Sequence, residues 1–296
     1  MAALEIKQLL ALVAVVEEQS FEKAALRLHV TQSAISQRIK QLEEQLGQPL
    51  LKRGTPMVVT ASGQKVLRYA KQVELLQGEL LQELGYGELK STRLSIAINA
   101  DSLAAWFLEA IQPLIEQQDL LIELKVDDQE KTHEFLKSGE VLGCISSSDS
   151  AMQGCDCQYL GDMRYLCVAS ERFYQRYFPQ GVSAAAFKQA PAVDFSHSDE
   201  MQSRYLARYF QLQQHDYPQH HIPSSEKYVE FIGRGLAWGL VPEMQFQQFS
   251  RDYELRDINP GKAISVPLYW HSWNVKSSLI AQLSETLQGY AQKALR

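Results

Sequence analysis

A polar stretch near the N-terminus combines the residue types that read base edges in DNA. It runs TQSAISQRIK from residue 31 to residue 40. Glutamine and arginine can form paired hydrogen bonds with adenine or guanine edges, and serine and threonine hydroxyls can bind bases or phosphates. A solvated helix face would instead carry interspersed glutamates and lysines. The side chains predicted to face DNA are Gln32, Ser33, Ser36, Gln37, Arg38 and Lys40.

A second set of polar residues follows predicted strands in the remaining two thirds of the chain. In open α/β sheets, ligands bind beyond the carboxyl ends of strands, often at helix N-termini. The carboxylates in this set favour a basic amino acid over an organic acid, which would need arginine or lysine in the same place. Helix capping alone is the alternative for each residue. The candidate effector-binding residues are Asn99, Asp101, Ser102, Asp127, Asp128, Ser146, Phe195, His197, Ser225 and Glu226.

Motifs for catalysis and for metal binding are missing from the sequence. It contains no glycine-rich phosphate loop, no G-x-S-x-G turn and no H-E-x-x-H pair. The four cysteines, Cys144, Cys155, Cys157 and Cys167, lack the spacing of a zinc site and are expected to be reduced thiols. We therefore expect no enzymatic activity, no metal and no cofactor other than a small-molecule effector.

Three predicted helices position the polar stretch. Residues 4–18 place leucines and valines near one helical face, and Ser20 is expected to begin a second helix that ends near Leu28. Thr31 is the expected N-cap of a third helix that Gly47 terminates. Two helices joined by a short turn, with small residues at their crossing, are typical of the helix-turn-helix, whose second helix enters the major groove.

A wing and a long helix follow. Residues 49–60 are predicted to form two short strands around a Gly-Thr-Pro turn, and Lys52 and Arg53 there could meet phosphates or the minor groove. From Thr60 a helix is expected to run to about Leu84. We predict that this helix packs on its twin in a dimer, with packing onto its own domain as the alternative. Its apolar seam is Val66, Tyr69, Val73, Leu76 and Leu80.

Strands and helices alternate from Ser91 onward. Repeated strand–helix units are typical of a mostly parallel sheet. Two clusters of such units, about 91–163 and 164–266, predict two lobes, with a C-terminal helix over 275–295 closing back onto the first. The predicted strands are 94–99, 120–126, 142–146, 164–170, 192–195 and 237–241.

Charge is divided unevenly along the chain. Residues 20–72 hold nine basic and three acidic residues, and since the whole chain has a net charge of −6, the remainder carries −12. This asymmetry indicates a basic DNA-binding region within residues 20–72, which we call the reading head, attached to an acidic remainder of the chain. No run of about 18 apolar residues and no signal-peptide pattern occurs, so we expect a cytoplasmic protein that does not bind membranes.

The chain resembles the LysR-type transcriptional regulators. The resemblance begins with SFEKAALRLHVTQSAISQRIKQLEEQLGQPLLKR from Ser20 and continues through the wing, TASG and the long helix. Within that family, TQSAISQRIKQLE, GQPLL, NADSLA near residue 99 and YWH at 269–271 are similar to the arginine/lysine-responsive branch, also described as the chromosome initiation inhibitor type. Two mild departures are QSF at 19–21, where a glycine commonly precedes Ser-Phe, and LLKR at 50–53, where a phenylalanine often follows the first leucine.

The resemblance implies an α/β protein with a mostly α winged helix-turn-helix, a long linker helix and a two-lobed sensor similar to periplasmic binding proteins. The implied domains are 1–60, 61–90 and 91–296, with lobe I at about 91–163 and 267–296 and lobe II at about 164–266. It also implies a homodimer, frequently a homotetramer. By their positions, the resemblance implies that the following residues contact double-stranded DNA: Thr31, Gln32, Ser33, Ser36, Gln37, Arg38, Lys40 and Arg53.

The resulting functional hypothesis is a regulator that senses lysine or arginine and controls genes of amino-acid transport or metabolism. An effector in the cleft would change the angle between the reading heads, and thereby DNA bending or contact with RNA polymerase. The alternative is an architectural protein that binds AT-rich DNA or the replication origin without sensing an effector.

Overall fold

The computed structural model describes residues 4–52, 54, 56–86, 93–118, 120–127 and 129–295. Two predicted site residues, Arg53 and Asp128, lie outside these ranges. The N-terminal elements are α1 (Ile6–Glu18), α2 (Phe21–Arg27), α3 (Gln32–Leu46), β1 (Leu51–Lys52), β2 (Val58–Val59) and α4 (Ala61–Glu83). None of the described helices is both long enough and apolar enough to cross a membrane.

The helix ends in this region lie where the sequence predicts them. The side-chain oxygens of Ser20, Thr31 and Thr60 each accept a hydrogen bond from the backbone N–H three residues further on, at 3.0 to 3.3 Å. Such N-caps satisfy backbone donors that the first turn of a helix leaves unpaired. Gly47 ends α3 with a φ of +67°, a conformation that glycine adopts without a steric penalty.

Apolar faces of α1 and α3 form the core of this small domain. Leu12, Ile35 and Leu42 are fully buried, as is Ala24 at the crossing of α2 with its neighbours. The two wing strands pair antiparallel, with Leu51 opposite Val59. Helix-turn-helix and wing therefore form one unit that presents the polar side of α3 to solvent.

The sensor part begins after residue 92 and alternates strands and helices, as predicted. Its elements are β3 (Arg93–Ile98), α5 (Ala100–Ser102), a π-helical turn (Leu103–Phe107), α6 (Leu108–Gln118), β4 (Leu121–Val126), α7 (Gln129–Lys137), β5 (Gly143–Ser146), β6 (Cys155–Ser170), α8 (Glu171–Tyr177), α9 (Ala184–Phe187), β7 (Ala192–Asp194), α10 (Met201–Phe210), a 3-10 turn (Gln214–Asp216), β8 (Gln219–His221), α11 (Ser225–Gly233), β9 (Gly239–Pro242), α12 (Glu243–Phe249), β10 (Leu255–Asp257), β11 (Ile264–Trp273) and α13 (Ser278–Ala294).

The prediction of a mostly parallel sheet is wrong. The main sheet runs β10-β6-β11-β5-β3-β4, with β9 also paired to β6. Only the β3–β4 and β3–β5 pairs in it are parallel, whereas every pair formed by β6 or β11 is antiparallel. The sequence pattern predicts only the last part of β6, at 164–170, and no strand where β11 lies. These two strands carry many polar residues and are held by pairing with distant segments, which leaves little local signal.

Two halves of the sensor share these long strands. One half contains β3, β4 and β5 with α6, α7 and α13, and the other contains β7 to β10 with α8 to α12. We refer to them as lobe I and lobe II. Because β6 and β11 run through both, the lobes are joined by two paired strands. The residue boundaries assigned to the domains and lobes stay predictions.

The long helix α4 contacts lobe I. The Glu79 carboxylate accepts hydrogen bonds from the Ser277 hydroxyl at 2.7 Å and from the Leu279 backbone N–H at 3.0 Å, at the start of α13. Gly139, at a φ of +77°, approaches the same helix so closely that an added Cβ would lie 2.7 Å from the Cα of Arg68. The reading head and the sensor are therefore in direct contact.

The predicted seam of α4 is largely exposed in the single chain. Tyr69, Leu76 and Leu80 have exposed fractions of 49%, 40% and 53%, and Leu84 beyond the helix reaches 59%. Large apolar residues exposed along one helix indicate a surface that another molecule covers.

Candidate functional site

The exposed face of α3 carries most of the side chains predicted to contact DNA. Gln32, Ser33, Gln37 and Lys40 are exposed, and Ser36 between them is half-buried. Their spacing along α3 places these five on one side of the helix, opposite the buried Ile35 and Ile39. A contiguous polar helical face of this kind can enter the major groove and hydrogen-bond base edges.

The remaining predicted DNA contacts have different surroundings. Thr31 caps α3, and its hydroxyl also lies 2.9 Å from that of Ser33. Arg38 is half-buried and lies outside the polar face, about 100° around the helix from Gln37, where a long side chain is better placed for phosphates than for bases. Lys40 is exposed and only weakly paired with Glu44, at 3.5 Å. Arg53 lies outside the described residues.

Sequence reasoning missed the residue that anchors the wing. The Glu43 carboxylate accepts hydrogen bonds from the backbone N–H groups of Leu50 and Leu51, at 2.7 and 3.3 Å. It therefore fixes the start of β1 relative to α3. The signal in the sequence is weak, because Glu43 and Glu44 stand together near the end of α3 and nothing local distinguishes them.

The second candidate site is the cleft between the lobes, and Asp101 of lobe I lies at its centre. The Asp101 carboxylate accepts hydrogen bonds from the Tyr165 hydroxyl and the Ser225 hydroxyl, both at 2.8 Å. Ser225 belongs to lobe II, so this carboxylate links the two lobes directly. Burial raises the pKa of Asp101 and the carboxylate of Asp199 raises it further, while the two hydrogen bonds act in the opposite direction.

The cleft is acidic and closed. Two carboxylates, Asp101 and Asp199, and the polar side chains of Gln202, Tyr228 and Gln245 line it, and no lysine or arginine is among its described lining residues. Its cavity volume is about 30 Å³, about the share of one water molecule in the liquid. An amino acid therefore fits only if the lobes separate or side chains move.

A third carboxylate, Asp194, lies beneath the cleft at the end of β7. It is 1% exposed, and neither of its oxygens has a hydrogen-bond partner among the described residues. Burial, followed by the nearby charge of Asp199, raises the pKa of Asp194 to about 7. Its neighbours include His221, directly opposite on β8, and Tyr217. This end of lobe II thus brings the carboxyl groups of Asp194 and Asp199 close together, and neither Asp194 oxygen is paired with a cation within the described ranges.

Three of the predicted effector-binding residues come together in the cleft, namely Asp101, Phe195 and Ser225. Others lie apart from it. His197 is exposed and contacts His221, with the two rings tilted by 48° and their centroids 3.9 Å apart, and Glu226 lines a separate cavity. Asn99 and Ser102 are buried, and each keeps one side-chain oxygen without a hydrogen-bond partner in the described part of the chain.

Ser146 and Asp127 also have other surroundings. The Ser146 hydroxyl lies 2.7 Å from Nε2 of His133 on α7, and 3.5 Å from Nε2 of His271 on β11. Burial lowers the pKa of both histidines. Asp127 is half-buried at the end of β4, and Asp128 lies outside the described residues. The roles assigned to these residues in effector binding stay predictions.

The cleft residues that are not among the predicted effector-binding residues are Tyr165, Asp199, Met201, Gln202, Tyr228, Leu240, Pro242 and Gln245. The sequence does contain a signal for Asp199 as a site residue, because it follows strand β7 closely in the run DFSHSDE. Its carboxylate accepts hydrogen bonds from the backbone N–H groups of Phe195 and Met201, at 3.1 and 2.9 Å. No such signal exists for Gln245, since it lies within a helix far along the chain from Asp101.

Comparison with known families accounts for both parts of the chain. Residues 6–64 match the bacterial regulatory helix-turn-helix protein of the LysR family, and residues 87–292 match the LysR substrate binding domain. The HTH-type transcriptional regulator ArgP of Aeromonas salmonicida is 45% identical over 297 residues, which cover 100% of this chain and 99% of that protein.

Solved structures agree with these relationships. The crystal structure of ArgP from Mycobacterium tuberculosis superimposes with a TM-score of 0.87 at 38% identity and covers 98% of each chain. The full-length LysR-type regulator LysG from Corynebacterium glutamicum, determined with the effector Arg bound, has a TM-score of 0.79 at 31% identity and covers 99% of each chain.

Proposed function

Because this chain belongs to the LysR family and is a DNA-binding transcriptional regulator rather than an enzyme, we propose that its effector is a basic amino acid, arginine or lysine. The regulator binds DNA through the face of α3 and senses the effector in the cleft between the lobes. The genes it controls are, in this proposal, those of amino-acid transport or metabolism.

The observation that carries the proposal is the charge of the cleft. Asp101 and Asp199 line it, Asp194 lies unpaired beneath it, and its described lining has no cationic side chain. Burying carboxylates close to one another is unfavourable unless a cation compensates them. A guanidinium or ammonium group would supply that compensation. The arginine-bound state of the relative LysG supports the same class of ligand.

The hydrogen bonds of Asp101 suggest how the effector would act. Asp101 joins the lobes through its hydrogen bonds with Ser225 and Tyr165. A cationic ligand that takes over one or both carboxylate oxygens would replace these bonds and change the separation of the lobes. A ligand shifts such an equilibrium only when it binds the two states with different affinity. Direct competition for Asp101 would provide that difference.

The DNA-bound state would be a dimer or tetramer. The exposed seam of α4 supports pairing of two chains, which would hold two reading heads at a fixed spacing on DNA. Contact between α4 and lobe I, through Glu79 and Gly139, would carry a change in lobe separation to the reading heads. The assembled regulator would then alter DNA bending or contact with RNA polymerase.

Calorimetric titration of the full chain tests the proposed effector. L-Arginine and L-lysine are compared with L-citrulline and L-norleucine, which have similar shapes but no positive side-chain charge. We expect both basic amino acids to bind at least about tenfold more tightly than their neutral counterparts, because an unpaired buried carboxylate strongly favours a cation. At one hundred times its dissociation constant, the effector should also stabilise the protein by about 2.7 kcal/mol.

Variants then locate the site. Asp101→Asn should weaken arginine binding at least about tenfold, whereas Glu285→Gln, an equivalent change on the exposed face of α13, should leave it unchanged. Equal affinity for arginine and citrulline would contradict the argument from charge. An unchanged DNA footprint with and without either basic amino acid would instead favour an architectural protein that does not sense an effector.

A further inference from the structure

A second cavity lies beside the cleft, between α11, α12 and the π-helical turn at Leu103–Phe107. We call it the outer cavity. Its volume is about 260 Å³, about nine times the share of one water molecule in the liquid. Unlike the closed cleft, it has room for a small ligand without rearrangement of the lobes.

The outer cavity combines an apolar part with four polar side chains, those of Glu226, Glu230, Gln245 and Gln248. Val229, Phe249 and Tyr253 form the side of lobe II, and Ala104 of the π-helical turn faces them from lobe I. The Tyr253 ring packs against the backbone of α11 at Gly233, where an added Cβ would lie 2.5 Å from the ring. The ring is therefore held in place and offers a fixed apolar surface.

Two of these polar side chains, Gln245 and Glu226, are suited to hold a ligand. Gln245 is 1% exposed, and its Nε2 has no hydrogen-bond partner among the described residues. A buried donor without an acceptor is unfavourable by itself and points to a ligand that supplies the acceptor. Glu226 is exposed and forms no ion pair within the described residues, whereas Glu230 beside it is paired with Lys227 and Arg234.

We propose that the outer cavity binds a free apolar amino acid. One end of the cavity offers the Gln245 amide as a donor to the ligand carboxylate, and the Glu226 carboxylate accepts hydrogen bonds from the ligand ammonium. The apolar side chain packs against Val229, Phe249 and Tyr253. A zwitterion matches this set because it brings one acceptor, one cation and an apolar body at no net charge.

Occupancy of the outer cavity is coupled to the cleft. Gln245 lines both cavities, and its Oε1 lies 3.4 Å from the Ser225 hydroxyl that donates to Asp101. The walls also belong to different lobes, since Ala104 is in lobe I and the others are in lobe II. A ligand that contacts both lobes binds open and closed states with different affinity, so each ligand changes the affinity of the other.

The test is calorimetric titration of the full-length protein with L-leucine, isoamylamine and 4-methylpentanoate. The last two compounds keep the apolar body but lack the carboxylate and the amine, respectively. We expect one leucine per chain and at least about tenfold weaker binding of both analogues. Glu226→Gln should weaken leucine binding about tenfold, and Ala104→Leu, which fills the cavity, should abolish it. Glu285→Gln should bind leucine as the unmodified chain does.

Three results would overturn the proposal. They are no binding of leucine, methionine or phenylalanine at millimolar concentration, isoamylamine binding as tightly as leucine, and leucine binding that is unchanged in Glu226→Gln. Saturating leucine should change the dissociation constant of arginine at least about fivefold, and an unchanged value would refute the coupling. Leucine binding without any arginine binding would refute the proposed effector and leave the outer site standing.

Discussion

The unpaired carboxylate of Asp194 leads to a measurable dependence of stability on pH. In the folded protein burial raises its pKa to about 7, from an ordinary value of 3.8. Between these two values the folded state binds a proton that the unfolded state releases, so the free energy of unfolding falls as the pH rises through this window. The full difference between the two pKa values corresponds to a loss of at most about 4 kcal/mol in the free energy of unfolding at pH 8.

Asp194→Asn removes the ionisable carboxyl group, and with it this loss of stability at high pH, while keeping the size of the side chain. Near pH 5, where the carboxyl is protonated, the variant should be as stable as the unmodified chain or slightly less stable. At pH 8 it should be more stable by about 1–3 kcal/mol, less than the full difference because the asparagine amide is itself a buried polar group that needs partners. Asp199, Tyr217, His221 and Tyr228 surround the position and are unchanged in both proteins.

The assay is urea unfolding at pH 5, 6, 7 and 8, followed by tryptophan fluorescence. Trp238 is a local reporter, since its ring centroid lies 6.4 Å from that of Tyr217 in the same lobe. Asp252→Asn, the same change at an exposed position of lobe II, is the matched control. A difference between Asp194→Asn and the unmodified chain that stays constant from pH 5 to pH 8 would refute the reasoning. Arginine should also bind more tightly as the pH rises through 7, because a cation favours the ionised carboxylate.

Three further predictions concern DNA binding and assembly. Gln32→Ala should weaken binding to a specific DNA site by about 1–3 kcal/mol and leave non-specific DNA binding unchanged. Lys40→Ala should weaken both kinds of binding and lower the salt dependence of binding by about one counterion. Identical effects of the two variants in DNA titrations at several salt concentrations would contradict the assigned roles. Leu80→Glu should shift the chain toward the monomer in sedimentation experiments, because it places a charge in the exposed seam of α4, and an unchanged assembly would exclude the seam as the interface. Gly139→Ala should loosen the contact of lobe I with α4, since the added Cβ meets the backbone of Arg68. Effector binding should persist, but the effector should no longer change the DNA footprint. A footprint that still changes with effector would show that this contact does not couple the sensor to DNA binding.

The reading head could be predicted from the sequence nearly residue by residue. Its determinants are local, because Ser20, Thr31 and Thr60 each cap a helix through a hydrogen bond to a residue three positions away. Gly47 ends α3 by its own backbone conformation. The apolar spacing that defines each buried face repeats within a single helix. Such interactions depend on neighbours in sequence, so an amino-acid pattern is sufficient to reveal them.

The sensor could be predicted only in part. Strand–helix alternation identified β3, β4 and β5, and the rule for strand ends selected Asp101, Phe195 and Ser225, which do meet in the cleft. The same rule selected Ser146, whose hydroxyl instead lies beside His133 of α7. A strand end marks the edge of a sheet, but it does not specify which neighbouring element the side chain will meet.

Local sequence patterns are therefore sufficient to predict the helix-turn-helix, the polar face of α3, the apolar seam of α4 and the α/β character of the sensor. Three features become visible only in the folded chain: β6 and β11 cross both lobes antiparallel, Asp101 reaches Ser225 across 124 positions of sequence, and Gln245 lies between two cavities. Strand pairing and cleft geometry depend on side chains brought together over long chain distances. Their free energy arises only once the whole core has formed, and no local pattern encodes it.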